Sequence, residues 1–222
     1  MKFAMIPVRM GSQRLKKKNL RELNGVPLIT RAIRKCIAAG VFDEIWVNSE
    51  HPAFGEIAAR EEAKFHLRPK YLGDNQSTSE QYIAEFLKKH ECDYLFQVHS
   101  IAPLLTIKEI QEFVDKLVNS DKDVLLAYEP VQIECAINNK PINFNFNEKT
   151  NSQDLKPVQR ISWSITGWKR ASYLEAVKKG KCATYYGEVG FSPISKLAAN
   201  VIKTEQDLKI AEALFPLLFN NN

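Results

Sequence analysis

Between Val8 and Arg21 the chain reads VRMGSQRLKKKNLR, and these residue types suit one chemistry above others, the holding of a phosphate chain. Gly11 and Ser12 let backbone amides approach an anion closely, while Arg9, Arg14, Lys16, Lys17, Lys18 and Arg21 offset its charge. A triphosphate needs both oriented donors and cations. The loop is neither a Walker P-loop nor a dinucleotide fingerprint, because Gly-x-x-x-x-Gly-Lys-Ser/Thr and Gly-x-Gly-x-x-Gly are both absent. The competing reading is a solvated charged face, which is what a lysine run most often is. Further along, Gln97 and His99 lie two apart in a strand-like run and so project from the same face, with Gln97 turned into the sheet as the alternative. Each of the other polar candidates also has a plain structural reading. Arg68 can simply pair with an acidic side chain, His99 can be satisfied locally, and Asp154 can cap a turn.

These residues need elements to position them. Apolar runs at Phe3–Val8, Glu44–Asn48, Asp93–Val98 and Asp123–Tyr128 alternate with helix-period segments. Pro27–Ala39 places Leu28, Ala32, Ile33, Cys36 and Ile37 on one helical face, with Pro27 in the first turn and Gly40 as a left-handed stop. Thr106 and Glu109 form a capping-box candidate before Ile110, Phe113, Val114 and Leu117. Thr204 opens a final helix in which Asp207 is the N3 residue. Strand alternating with helix implies an α/β sandwich around a mainly parallel sheet, which binds ligands beyond the carboxyl ends of its strands. The basic loop follows the first strand and so sits at that edge.

The segment from about 131 to 165 interrupts this rhythm. Its Asn-rich stretch INNKPINFNFNEKTNSQD has little helical periodicity and reads as a hairpin arm, a lid or a surface loop. Only Asn220–Asn222 reads as frayed. With 222 residues, 45% hydrophobic and 26% charged, the chain suits one globular domain with an excursion. No apolar run approaches the roughly 18 residues of a membrane span, and the first residues read as a strand, not as a leader, so a cytoplasmic protein is expected. Cys36, Cys92, Cys135 and Cys182 are too scattered for a zinc set and are expected to be buried thiols. A net charge of +5 suits an anionic substrate. Nucleic acid is not expected, because the basic loop has no interleaved aromatic side chain.

IPVRMGSQRLKKKNL followed by LNGVPLITRAI resembles the opening of the sugar-acid cytidylyltransferases, the acylneuraminate synthetases and their Kdo relatives. Arg9, Gly11, Ser12, Arg14, Lys18 and Asn19 fall on matching positions, as do Gly25, Pro27, Leu28 and Ile29. RPKYLGDNQSTSE resembles a second family segment through Arg68, Pro69, Leu72, Asp74 and Ser79. FQVHSIAPLLT resembles a third through Gln97, His99, Ser100, Pro103 and Leu104, although Ile101 and Ala102 replace a polar pair. A fourth match carries Gln153, Asp154, Leu155 and Pro157. Together they cover nearly the whole chain, in order.

The resemblance implies a single domain over 1–222 with a three-layer, nucleotide-diphospho-sugar transferase-like fold and an inserted dimerisation arm at about 131–165. It implies attack of a sugar-acid hydroxyl on the α-phosphate of CTP, releasing pyrophosphate, in a homodimer. Arg14 and Lys18 are then the phosphate-holding catalytic cations, and Arg9, Gly11, Ser12, Asn19, Arg68 and Ser79 the remaining nucleotide contacts. Gln97, His99, Gln153 and Asp154 face the acidic sugar. The family also implies Mg²⁺, held by two Asp residues of an Asp-Ile-Asp-Thr motif, but this chain has Val201 and Lys203 there. Val cannot coordinate a hard cation and an ammonium is repelled by one. Ile161 and Ser162 likewise replace a Glu-Asn pair at the sugar end. Either Lys203 is a catalytic cation standing in for part of the ion's charge, or the ion is held by phosphates and few protein groups, or the chain is a relative that binds nucleotide without turnover or has turned to another acceptor.

Overall fold

The computed structural model describes residues 1–218; the expected fraying of Asn220–Asn222 lies outside the described residues. In chain order the elements are β1 (Lys2–Pro7), the short hairpin β2 (Glu22–Leu23) and β3 (Val26–Pro27), α1 (Leu28–Ala39), β4 (Glu44–Ser49), α2 (Ala53–Arg60), β5 (Lys64–Leu67), α3 (Ser79–Lys89), β6 (Tyr94–Val98) and α4 (Ile107–Val118). There follow β7 (Val124–Val131), a second short hairpin β8 (Ala136–Ile137) and β9 (Lys140–Pro141), β10 (Val158–Lys169), α5 (Arg170–Lys178), β11 (Val189–Pro193) and α6 (Glu205–Leu214).

Seven strands form one sheet in the order β11-β7-β10-β6-β1-β4-β5. All neighbours are parallel except β10, which runs antiparallel to both β6 and β7. The central strand β1 is buried on both faces, as parallel strands covered by helices must be, which is why Phe3–Ile6 reads as a continuous apolar run. On one face α1 and α4 pack Ile29, Ile33, Ile110 and Phe113 against Ala4, Ile6, Phe96 and Val98. On the other, α3 and α5 pack Ile83, Phe86, Tyr173 and Ala176 against Phe3, Met5, Leu95 and Trp168. The result is the expected three-layer sandwich.

Helix ends follow the sequence signals. Gly40 closes α1 with φ 64°, and capping boxes are complete at Thr106/Glu109 and at Thr204/Asp207. Pro27 is the residue before α1 rather than its first helical residue. A third cluster joins Leu15 of the basic loop to Leu28, Leu104, Ile202 and Leu208, tying that loop to α6.

The expected arm is shorter than about 131–165. Its second half is the start of β10, whose residues Val158–Ser162 pair with Ala127–Val131 of β7. The pairing register shifts between Ser162 and Thr166. What remains carries the β8–β9 hairpin, turned by Asn138 and Asn139 at φ 49° and 63°. Two such residues fit a primed turn, and Asn tolerates that left-handed region better than most. The four cysteines are free, but only Cys36 and Cys92 are buried as expected; Cys135 is half-buried and Cys182 exposed.

Candidate functional site

A cleft of about 450 Å³ opens at the carboxyl ends of β1, β5 and β6. Its walls include Arg9, Ser12, Arg14, Lys18, Asn19, Arg68, Tyr82, His99 and Lys203. The basic loop is braced against the sheet to form one wall. Met10 donates its backbone N–H to Glu50 Oε1 at 2.8 Å, and the Asn19 amide donates to the Arg9 carbonyl at 3.0 Å. Ser100 Oγ, just after β6, donates to Asn19 Oδ1 at 2.9 Å. Asn19, expected to touch nucleotide, is almost wholly buried and spends its side chain on holding the loop. Leu15, buried beside α6, anchors the loop's far side.

The lysine run divides. Arg14 and Lys18 line the cleft, whereas Lys16 and Lys17 lie on the outer side of the loop with Arg21. Arg21 is engaged there in a two-pronged pair with Glu205, at 2.8 and 2.7 Å. Arg9 reaches across to the Asp74 carbonyl and Asn75 Oδ1, each at 3.0 Å. Among the described residues no hydrogen bond or ion pair engages the side-chain charges of Arg14, Lys18 or Lys203. Burial, and then the nearby Arg14, Arg9 and Lys203, push the Lys18 ammonium down to about 8. These cations outnumber the carboxylates near them, Asp74 and Asp207, and so favour a polyanion, which would relieve their repulsion.

Arg68 takes its structural reading while also lining the cleft. It is 4% exposed, and donates to Asn48 Oδ1 at 3.0 Å, the Val8 carbonyl at 3.1 Å and Glu50 Oε2 at 3.1 Å. Its guanidinium lies over the Tyr82 ring, 4.7 Å from the centroid. Glu50 thus joins Arg68 to the basic loop, and Gly73 lies against it so closely that a Cβ there would stand 2.3 Å from Glu50 Cγ. Glu50 and Tyr82 were not legible as site residues, because neither stands in a motif and only the fold brings them to the cleft.

Gln97 and His99 do share a face, and both belong to one hydrogen-bonded group. His99 Nε2 meets Gln97 Oε1 at 2.9 Å, and Gln97 Nε2 donates to the Tyr82 hydroxyl at 3.0 Å. His99 is on the cleft wall, while Gln97 is buried behind it. The loop that follows is pinned by Lys35, whose ammonium donates to the carbonyls of Ala102, Pro103 and Leu105 at 3.2, 3.1 and 2.8 Å. Ser79 is the first residue of α3 and is not on the cleft wall, where Ser77 stands instead. Gly11 is exposed on the loop. Gln153 and Asp154 are exposed on the arm in a short 3-10 turn, outside this cleft. Asp154 donates its backbone N–H to the Asn151 carbonyl at 3.0 Å and its Oδ2 accepts from the Asn151 amide at 3.5 Å, so it takes part in a turn.

A divalent ion such as Mg²⁺ needs hard oxygen donors that are free to coordinate. Around the cleft the carboxylates are committed elsewhere. Asp74 Oδ1 accepts from the N–H groups of Gln76 and Ser77 at 2.9 and 2.7 Å. Glu50 holds Met10 and Arg68, and Asp207 Oδ2 caps α6 through the N–H groups of Lys203 and Thr204 at 2.9 and 2.8 Å. No group of three or more His, Cys, Asp or Glu suited to a metal occurs among the described residues. The donor set therefore does not fit an ion held by protein carboxylates, and Lys203 brings a positive charge to the same wall.

Comparison with known proteins gives this cleft a context. The family model described as Cytidylyltransferase matches residues 3–203. N-acylneuraminate cytidylyltransferase A of Danio rerio is 27% identical over 192 residues, which are 82% of this chain and 45% of that protein. Pseudaminic acid cytidylyltransferase of Campylobacter jejuni is 30% identical over 166 residues, 69% of this chain and 72% of that one. The chain thus spans less than half the length of the Danio rerio protein. Among solved structures, a CMP:2-keto-3-deoxy-manno-octonic acid synthetase complexed with CTP superposes with a TM-score of 0.71. That match has 14% identity and covers 97% of this chain and 98% of that one, a likeness of fold.

Proposed function

The chain belongs to the cytidylyltransferase family, and from that premise we propose that it activates an acidic sugar with CTP, forming the CMP-sugar and pyrophosphate. The observation that carries this reading is the trio of unpaired cations, Arg14, Lys18 and Lys203, around a cleft at the strand ends. Displacement at a phosphate is helped mainly by positioning and by neutralising charge. In this reading Arg14 and Lys18 grip the triphosphate, Lys203 adds charge on the leaving-group side, and the Ser12 region supplies backbone donors. Arg68 acts indirectly, by holding Glu50 and the floor beneath Val8. The relatives named for acylneuraminate and pseudaminic acid support a sialic-acid-like, 2-keto-3-deoxy acceptor. The exposed arm supports a homodimer. The free thiols suit a reducing, cytoplasmic setting.

A second reading, nucleotide binding without turnover, is favoured by Val201 and Lys203 at the expected metal positions and by the committed carboxylates around them. The two readings separate when the protein is given CTP, with Mg²⁺ or with EDTA, and a panel of 2-keto-3-deoxy sugar acids. The first expects a CMP phosphodiester and pyrophosphate by phosphorus NMR. CTP binding with neither product from any acid would support the second.

A further inference from the structure

The wall made by β6 and α3 contains a hydrogen-bond chain whose direction is set by its middle member. Gln97 is 1% exposed, and its Nε2 donates to the Tyr82 hydroxyl, so the atom facing His99 Nε2 is the carbonyl Oε1. A carbonyl oxygen offers only lone pairs, so His99 Nε2 carries hydrogen and, in the neutral ring, Nδ1 is left as an acceptor. The backbone fixes the ring's stem as well, because the His99 N–H donates to the Ser164 carbonyl of β10 at 3.1 Å. His99 is half-buried on the cleft wall, and no partner for Nδ1 occurs among the described residues.

The charges facing the ring keep it neutral. Burial first, and then the Lys18 ammonium of the basic loop, push the His99 imidazole down to about 4. Arg9 and Arg14 of the basic loop, Arg68 after β5, Asp74, Tyr82 of α3 and Lys203 before α6 complete the titratable wall of the cleft. A neutral acceptor on the cleft wall thus stands near the cation assigned above to the phosphates.

We propose that His99 is the general base of the reaction, with Gln97 and Tyr82 as positioning residues that fix its tautomer. The proposal rests on the functional reading above. Nδ1 takes the proton of the sugar hydroxyl as that oxygen forms its bond to the α-phosphorus of CTP. The bond from the α-phosphorus to the oxygen bridging to the β-phosphate breaks, and its electron pair leaves with pyrophosphate, whose charge Lys18 and Lys203 meet. The imidazolium then returns its proton to solvent. A bound triphosphate raises the ring's proton affinity by its opposite charge, moving the base toward the range in which it is useful.

The test compares wild type with His99→Gln, whose amide fills similar space but does not titrate, using the acceptor that gives turnover. The expected result is a fall in kcat of roughly a hundredfold or more, KM for CTP within about threefold, and loss of the acidic limb of the pH profile. Gln97→Met should give a smaller fall in kcat with the acidic limb retained, because the ring can then adopt either tautomer. An acidic limb that persists in His99→Gln, or a loss confined to KM, overturns the base assignment while leaving the functional reading intact. No turnover by wild type with any acid overturns both. Nitrogen NMR of the wild-type imidazoles keeps the test open should a variant fail to fold. The expected state is hydrogen on Nε2, with an upward titration shift when CTP is added; hydrogen on Nδ1 overturns the proposal.

Discussion

Lys18 shows how a residue's surroundings turn an ordinary side chain into a site. Its ammonium is lowered to about 8 by burial and then by three neighbouring cations, which the Asp207 carboxylate offsets only in part. Near pH 8 it is therefore about half protonated, and a bound triphosphate must raise its affinity for a proton. CTP binding at pH 8 should take up part of a proton, and CTP affinity should fall as pH rises through about 8. Titration calorimetry in buffers of different ionisation enthalpy reads this uptake, and Lys18→Ala should abolish it. The same variant should weaken CTP binding by roughly ten- to a hundredfold, the worth of a hydrogen bond to a charged group. Equal affinity in both proteins would remove Lys18 from the phosphate site. Glu50 belongs to the same scale. Glu50→Ala leaves the Arg68 guanidinium buried beside no carboxylate and also frees the Met10 N–H. Breaking one side of a buried pair costs about 3 kcal/mol or more, so urea denaturation should show a loss of that order; a loss near zero would mean that solvent reaches Arg68. Residue type alone could mark Arg68 and Asn19 as polar candidates. It could not show that Glu50 and the Arg9 carbonyl would engage them, because the first contact forms only when β4 and β5 come together and the second only when the loop folds back on itself.

At the scale of elements, ends were more legible than strands. Pro27 and Gly40 bracket α1, and the Thr-x-x-acid patterns at Thr106 and Thr204 open α4 and α6, because capping chemistry is local. β10 was absorbed into the expected arm for a physical reason. Its outer half projects with Gln159, Arg160 and Ile161 all exposed, so no alternation of apolar and polar residues marks it. The edge strands β5 and β11 are short and only partly buried, and they left a similarly weak trace. Inside the sheet β10 is tightly packed. A Cβ at Gly167 would stand 2.7 Å from Leu117 Cδ2 and 2.9 Å from the Phe96 ring. Gly167→Ala should therefore cost about 1–3 kcal/mol through overpacking, measured by denaturant midpoint. An unchanged midpoint would show that α4 can move away from the sheet.

For the whole molecule, the sandwich positions a cationic cleft at one edge of the sheet and extends an arm elsewhere. The arm exposes Ile133, Ile137, Ile142 and Phe146, the last at 76%. The homodimer proposed above would cover these apolar side chains with a second copy of the chain. Light scattering after size exclusion should give twice the mass of one 25.4 kDa chain. Paired substitutions Ile137→Asp and Phe146→Asp should shift that mass toward the monomer; a monomeric wild type would end the dimer proposal. The fold class and the place of the basic loop at the sheet edge were both legible because each rests on patterns continuous in sequence. The division of the lysine run between cleft and outer surface was not, since it depends on how Leu15 and Asn19 seat the loop. The central claim is that this cleft uses its own cations to transfer CMP to an acidic sugar. Pyrophosphate release from CTP and a panel of sugar acids, measured side by side for wild type and Lys18→Ala, tests it most directly. The account predicts release by wild type with at least one acid and a loss of roughly tenfold or more in the variant; no release by wild type, or equal release by both proteins, would contradict it.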